Sequence, residues 1–231
     1  MKSSWIGIGL MVALALPVYA QKKETERVEE AGTVMKEILA APDSIPQSVL
    51  DKAECVVVLP SVKKFAIGIG GSYGRGVMTC RGGKDFRGKW GAPTMMALEG
   101  ASAGLQLGGE ATDFILLLMN SRAASGILAS KVKLGGEASA AAGPVGRTAS
   151  AETDVTLKAD ILSYSRARGA FAGLSLEGST LRPDNDANKD LYGKKMEAKE
   201  IVLEGAVKPP PSATTLLSTL DKASPVNKSK S

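Results

Sequence analysis

Ser61-Val-Lys-Lys64 is the one place where spacing sets a nucleophile beside a base, in the Ser-x-x-Lys pattern of penicillin-recognising enzymes. The Ser-Asp-Asn and Lys-Thr-Gly motifs that complete such a site are missing, and Pro60 precedes Ser61 at a strand end rather than a long helix. Gly70-Gly-Ser72-Tyr-Gly74 has the outline of a nucleophile elbow, but the chain contains no histidine to activate its serine. The missing histidine also removes His general bases and His-ligated metals, and two cysteines cannot build a four-Cys zinc site. The glycines of 68–76 break the Gly-x-Gly-x-x-Gly spacing at Tyr73, so no phosphate cradle is expected. Asp184-Asn-Asp186-Ala-Asn188 starts like a calcium loop but has Lys189 and Lys195 where Gly and Glu belong, and it reads better as a helix start. Glu99, Glu110, Asp113, Asp154, Asp160 and Glu177 supply carboxylates, yet aromatics are only 4% of the chain, too few to stack a sugar for a glycosidase. These readings leave no catalytic residue, metal or cofactor to assign.

Charge is more informative. Lys63, Lys64, Arg75, Arg81, Lys84, Arg87 and Lys89 meet only Asp85 between positions 63 and 89, a local net charge of +6 against +5 for the whole chain. Phe86 and Trp90 lie among them. Cations converging beside an indole would suit an anionic phospholipid surface, which is the expected partner, with Trp90 at the interface. The bland alternative is an ordinary solvated loop. Nucleic acid matches the charge but not an exported protein.

Export is read from the first 20 residues. Lys2 is followed by an apolar run from Trp5 to Leu16, then Pro17 and Val18-Tyr19-Ala20. The run is too short to span a bilayer and ends in a signal-peptidase pattern, so cleavage after Ala20 and a periplasmic or secreted product are expected. An oxidising compartment lets Cys55 and Cys80 pair; two buried thiols are the alternative.

The elements that must position these residues follow from periodicity. Glu24–Ala41 carries Val28, Ala31, Met35, Ile38 and Leu39 at helical spacing, and a short second helix is expected over 46–53. Then come short apolar runs punctuated by glycine: 56–59, 65–71, 76–80, 94–98, 103–107, 114–119, 132–134, 155–157, 161–164 and 170–176, all read as strands, with a helix between Asn120 and Ser130. Asp184–Tyr192 reads as a capped helix. The expected fold is α+β: a single β-rich domain over 24–205, mostly antiparallel, with N-terminal helices and a short C-terminal helix. Residues 206–231, opening on Lys208-Pro-Pro-Pro211, are expected as a disordered Pro/Ser/Lys tail in which 215–220 is at most transiently helical.

Ala53-Glu-Cys-Val-Val-Val-Leu-Pro60-Ser-Val-Lys-Lys64, Gly70-Gly-Ser-Tyr-Gly-Arg-Gly76, Trp90-Gly-Ala-Pro93, Gly108-Gly-Glu-Ala-Thr-Asp113, Ala141-Ala-Gly-Pro-Val-Gly-Arg147, Tyr164-Ser-Arg-Ala-Arg-Gly169, Phe171-Ala-Gly-Leu-Ser-Leu-Glu-Gly178 and Asp184-Asn-Asp-Ala-Asn188, in this order, resemble the SYLF domain family, exported bacterial members above all. The resemblance covers about 28–193. It implies a lipid-binding module without catalysis; eukaryotic members bind phosphoinositides, partly through an N-terminal amphipathic helix, and some yeast members bind actin. On the charge pattern, the lipid surface here is expected on 63–89. The alternatives are a scaffolding protein of the envelope that binds another protein and, further off, an unrecognised hydrolase.

Overall fold

The computed structural model describes residues 9–41, 44–145, 159–167, 170–172, 176 and 178–229; of 9–19, 64–70, 101–110, 167 and 170–172 it describes the backbone alone. The elements run α1 (Gly9–Ala40), α2 (Gln47–Leu50), β1 (Cys55–Cys80), β2 (Thr94–Leu118), α3 (Ser121–Ala129), β3 (Val132–Lys133), β4 (Ala140–Ala142), β5 (Ile161–Ala167), β6 (Ala170–Ala172), β7 (Ser179–Pro183), α4 (Asn185–Tyr192), α5 (Ala198–Val202) and α6 (Thr214–Ala223). This is the α+β, mostly antiparallel architecture expected. The position after Ala20 falls inside α1, and among the described residues no helix is long and apolar enough to cross a membrane.

Two strands dominate. β1 pairs antiparallel with β2 from Cys55↔Leu118 to Met78↔Thr94, with register shifts between Leu59 and Val62 and between Ala66 and Gly68. Six of the expected short strands are thus segments of two long ones, and the run 155–157 lies outside the described residues. β2 carries β7 on its first part (Met96↔Pro183) and β5 on its last (Leu118↔Ile161), while β4 joins β5 in parallel.

β1 curls until its ends meet. Cys55 and Cys80 are disulfide-bonded with Cα atoms 4.0 Å apart, and the Arg81 N–H donates to the Glu54 carbonyl at 2.9 Å. Glycine allows this closeness: a Cβ on Gly76 would lie 1.9 Å from the Val58 carbonyl oxygen, and one on Gly74 would lie 2.6 Å from Val62 Cγ2.

The continuous apolar runs follow from burial on both faces. Cys55, Val57, Leu59, Phe114, Leu116 and Leu118 point into one core, which α3 and α5 close with Ile127, Leu128, Ile201 and Val202. Val56, Val58, Ile115 and Leu117 point into the other, covered by α1, α2, α4 and α6. The α1 face Val28, Ala31, Met35 and Ile38 is fully buried there.

The described part of the expected tail, 206–229, is not disordered chain. It contains α6, whose Leu216 and Leu220 are fully buried against α1; a Cβ on Gly32 would meet the Leu216 nitrogen at 2.9 Å. Three leucines at positions 216, 217 and 220 suffice to order this stretch because a prepared apolar face awaits them.

Candidate functional site

The hairpin joining β1 to β2 carries the basic residues. Its base is held by the disulfide, the Arg81–Trp90 bridge and hydrogen bonds from Gly82 N–H to the Lys89 carbonyl (2.8 Å) and from Gly88 N–H to the Gly82 carbonyl (2.7 Å). Its turn is tight: Gly83, Asp85 and Phe86 take φ values of 76°, 57° and 54°. Lys84, Arg87 and Lys89 are exposed, and Phe86 is half-buried against the core.

Arg81 and Trp90 require a correction. Neither lines an open surface: their exposures are 1% and 4%. The guanidinium carbon stands 4.3 Å from the Trp90 ring centroid. Arg81 Nε donates to the Ala53 carbonyl (3.2 Å), and Nη2 donates to the Ser224 hydroxyl (2.6 Å). Trp90 Nε1 donates to the Ser224 carbonyl at 3.2 Å. Residues after α6 cover the pair, so both side chains serve the interior. Burial pulls the Arg81 pKa down, with Asp51 and Asp221 opposing.

Arg75 is also committed elsewhere. Its Nε lies 3.3 Å from Asp184 and donates to the Tyr73 hydroxyl at 2.6 Å, and its Nη1 lies 4.0 Å from Glu24. Burial pulls its pKa down, but Asp184, Tyr73 and Glu24 outweigh that and raise it. Lys63 is exposed on β1, nine residues along the strand from Glu54, up to about 30 Å at roughly 3.3 Å per residue. The Lys64 side chain lies outside the described residues. Among the six cations whose side chains are described, Arg75 and Arg81 are therefore not part of an open face with the rest. Lys84, Arg87 and Lys89 stay together at the hairpin.

Sequence reasoning missed their neighbours. Asn227 Nδ2 donates to the Phe86 carbonyl (3.0 Å), Lys228 Nζ pairs with Asp51 (2.7 Å), and Asp221 accepts from the Trp90 N–H (3.5 Å). These contacts bring Lys52, Lys222 and Lys228 to the same end as the hairpin. The leucine spacing of α6 was the available signal.

The catalytic candidates whose side chains are described are held by hydrogen bonds and ion pairs to neighbouring elements. Ser61, at φ 51°, donates its N–H to Asp113 (2.9 Å) and its hydroxyl to Glu30 (3.4 Å). Glu99 pairs with Arg182 (2.6 Å), and Asp113 pairs with Arg166 (2.8 Å). Burial would raise the Asp160 pKa, but hydrogen bonds from Asn120, Ser139 and Arg122 outweigh it and hold the pKa low. Asp154, Glu177 and the side chain of Glu110 lie outside the described residues. Gly70–Gly74 lies within β1 and not at a strand-to-helix elbow. Asp184 caps α4 by accepting from the Ala187 N–H (3.2 Å), and fully buried Asn188 accepts from the Met95 N–H (2.7 Å).

Residues 99–223 match the family model described as Ysc84, Las17-binding protein actin regulator. The chain is 35% identical over 218 residues to the SH3 domain-containing protein PJ696.02 of Schizosaccharomyces pombe, covering 93% of this chain and 49% of that protein. It is 34% identical over 205 residues to Protein YSC84 of Saccharomyces cerevisiae, covering 87% and 43%. With the SH3 domain-containing YSC84-like protein 1 of Xenopus laevis it shares 30% over 218 residues, covering 89% and 62%. The chain spans about half the length of the curated relatives it matches.

Proposed function

This chain belongs to the Ysc84 (SYLF) family, and from that premise we propose that it is a non-enzymatic protein that binds anionic phospholipid surfaces peripherally through the end of the domain carrying the 81–90 hairpin. The observation that carries the reading is the exposure of Lys84, Arg87 and Lys89 on a turn braced at its base, with Lys52, Lys222 and Lys228 alongside. Seven cations there, the buried Arg81 among them, face four carboxylates, Asp51, Glu54, Asp85 and Asp221, and Lys228 already neutralises Asp51. A fixed cluster of this sign attracts headgroup phosphates at about 1 kcal/mol per surface cation. The signal-like pattern of residues 1–20 and the disulfide support a reading in which the chain is exported to an oxidising compartment, periplasmic or extracellular, where such a surface would meet an envelope membrane.

Flotation with phosphatidylglycerol or cardiolipin vesicles tests this. Binding is expected at low salt, weaker at high salt, and absent with phosphatidylcholine alone. A Lys84→Glu, Arg87→Glu, Lys89→Glu variant that floats as well as the parent would end the proposal.

A second reading, a scaffold that binds another protein, is supported by the family description and by the names of the relatives. It predicts a partner from envelope extract whose capture survives the same triple charge reversal.

A further inference from the structure

The segment Ala223–Lys228 is attached by polar groups. Gln47 Nε2 donates to the Ala223 carbonyl at 2.6 Å, Trp90 Nε1 to the Ser224 carbonyl at 3.2 Å, and Arg81 Nη2 to the Ser224 hydroxyl at 2.6 Å. That hydroxyl donates to Asp51 Oδ1 at 2.7 Å. Four residues on, Lys228 closes on the same residue, Nζ to Oδ2 at 2.7 Å and backbone N–H to the Asp51 carbonyl at 2.7 Å. Between these anchors Pro225 is exposed and Val226 is 59% exposed, so no apolar side chain there holds the segment. The attachment has the make-up of a bound peptide, not of a core element.

The receiving wall is selective. It offers a buried guanidinium, an indole N–H and an amide to oxygens, and a carboxylate to a hydroxyl and an ammonium. Arg81 Nη1, also buried, has no hydrogen-bond partner, so the wall keeps a spare donor. Burial would raise the Asp51 pKa, but hydrogen bonds from Lys228, Ser224 and Gln47 outweigh it and keep the carboxylate charged. A ligand must bring a hydroxyl that both donates and accepts, then a cation one helical turn's count of residues later.

Residues 204–206, 208 and 209 are exposed and lead through Pro209-Pro-Pro211 into α6. Exchange of the arm 211–229 with a neighbouring molecule would carry α6 along, so Leu216 and Leu220 would leave one α1 and dock on the same face of the other.

We propose that Gln47, Asp51, Arg81 and Trp90 form a peptide-acceptor site for a hydroxyl residue followed four positions later by lysine, filled here by the chain's own C-terminal segment and open to the same segment of a second copy. The site shares Asp51 and Lys228 with the cationic end but uses none of Lys84, Arg87 and Lys89, and it stands whether or not those three meet lipid.

The test uses the full chain carrying Ser224→Ala and Lys228→Ala, whose own segment no longer fits, and a fluorescein-labelled peptide of residues 223–231 read by anisotropy. The variant chain is expected to bind the peptide at least tenfold more tightly than the wild-type chain. Peptides with Ser224→Ala or Lys228→Ala are expected to bind at least fivefold more weakly. Equal affinity of the two chains, or indifference to either peptide change, overturns the site. A photo-reactive residue at exposed position 226 of the otherwise wild-type chain gives a second readout. Crosslinks between copies that rise with concentration support exchange, and crosslinks confined to one chain overturn it.

Discussion

Two arginines anchor two regions of this domain by different chemistry. At the hairpin end, Arg81 is shut inside the protein and held by neutral oxygens and an indole face, with its buried Nη1 left without a hydrogen-bond partner. On the α1 side, Arg166 is partly exposed and pairs directly with Asp113 and Glu37. Burial dominates at Arg81 and lowers its pKa; at Arg166 burial also pulls downward, but the two carboxylates outweigh it and raise the pKa. The first arrangement depends on shape and on a distant piece of chain. The second depends on charge and therefore on the ionic medium. A cation counted along a sequence can belong to either kind.

The largest break in this contrast should come from the hairpin end. Reducing the Cys55–Cys80 bond, or Cys55→Ser with Cys80→Ser, is expected to cost about 3 kcal/mol of unfolding free energy, seen as a lower thermal midpoint under reductant. Next, Arg81→Ala removes the stacked guanidinium and leaves a void, for about 2–4 kcal/mol in urea unfolding, with no recovery in high salt.

Glu54 sharpens the comparison within the same end. It is 5% exposed, its Oε2 has no hydrogen-bond partner, and burial, with Asp85 adding to it, raises its pKa. The folded state then holds this proton more tightly than the unfolded chain does. Its contribution is most favourable below the ordinary carboxylate range and is lost as pH rises through the folded value. Glu54→Gln is expected to stabilise the protein by about 1 kcal/mol at pH 7 and to gain nothing at pH 4. Asp160 runs oppositely: its lowered pKa makes its contribution present above the ordinary Asp value and lost as pH falls through the folded one. The smallest effect belongs to Arg166→Ala, about 0.5–1 kcal/mol at low ionic strength and shrinking as salt is added.

Much of the architecture was legible. The capped helix at 185–192, the α3 interruption and the buried face of α1 follow from caps and periodicity, which are local. The long strands were not, because Gly74 and Gly76 look like breaks along the chain. In space they are where β1 touches itself. The basic segment was legible as composition and misleading as surface. Arg81 and Trp90 are covered by Ser224, 143 and 134 positions away, and nothing in their own neighbourhood announces it. Lys84, Arg87 and Lys89 are exposed on the turn beyond that base, where Gly83, Asp85 and Phe86 take positive φ.

The sulfur bridge joins the two ends of a single strand, so the backbone from Cys55 to Cys80 is a covalent ring. A protease that cuts anywhere inside that ring releases no fragment. The nicked protein migrates as one species on a non-reducing gel and separates into two only after thiol treatment, so proteolytic damage to β1 stays hidden for as long as the surroundings remain oxidising.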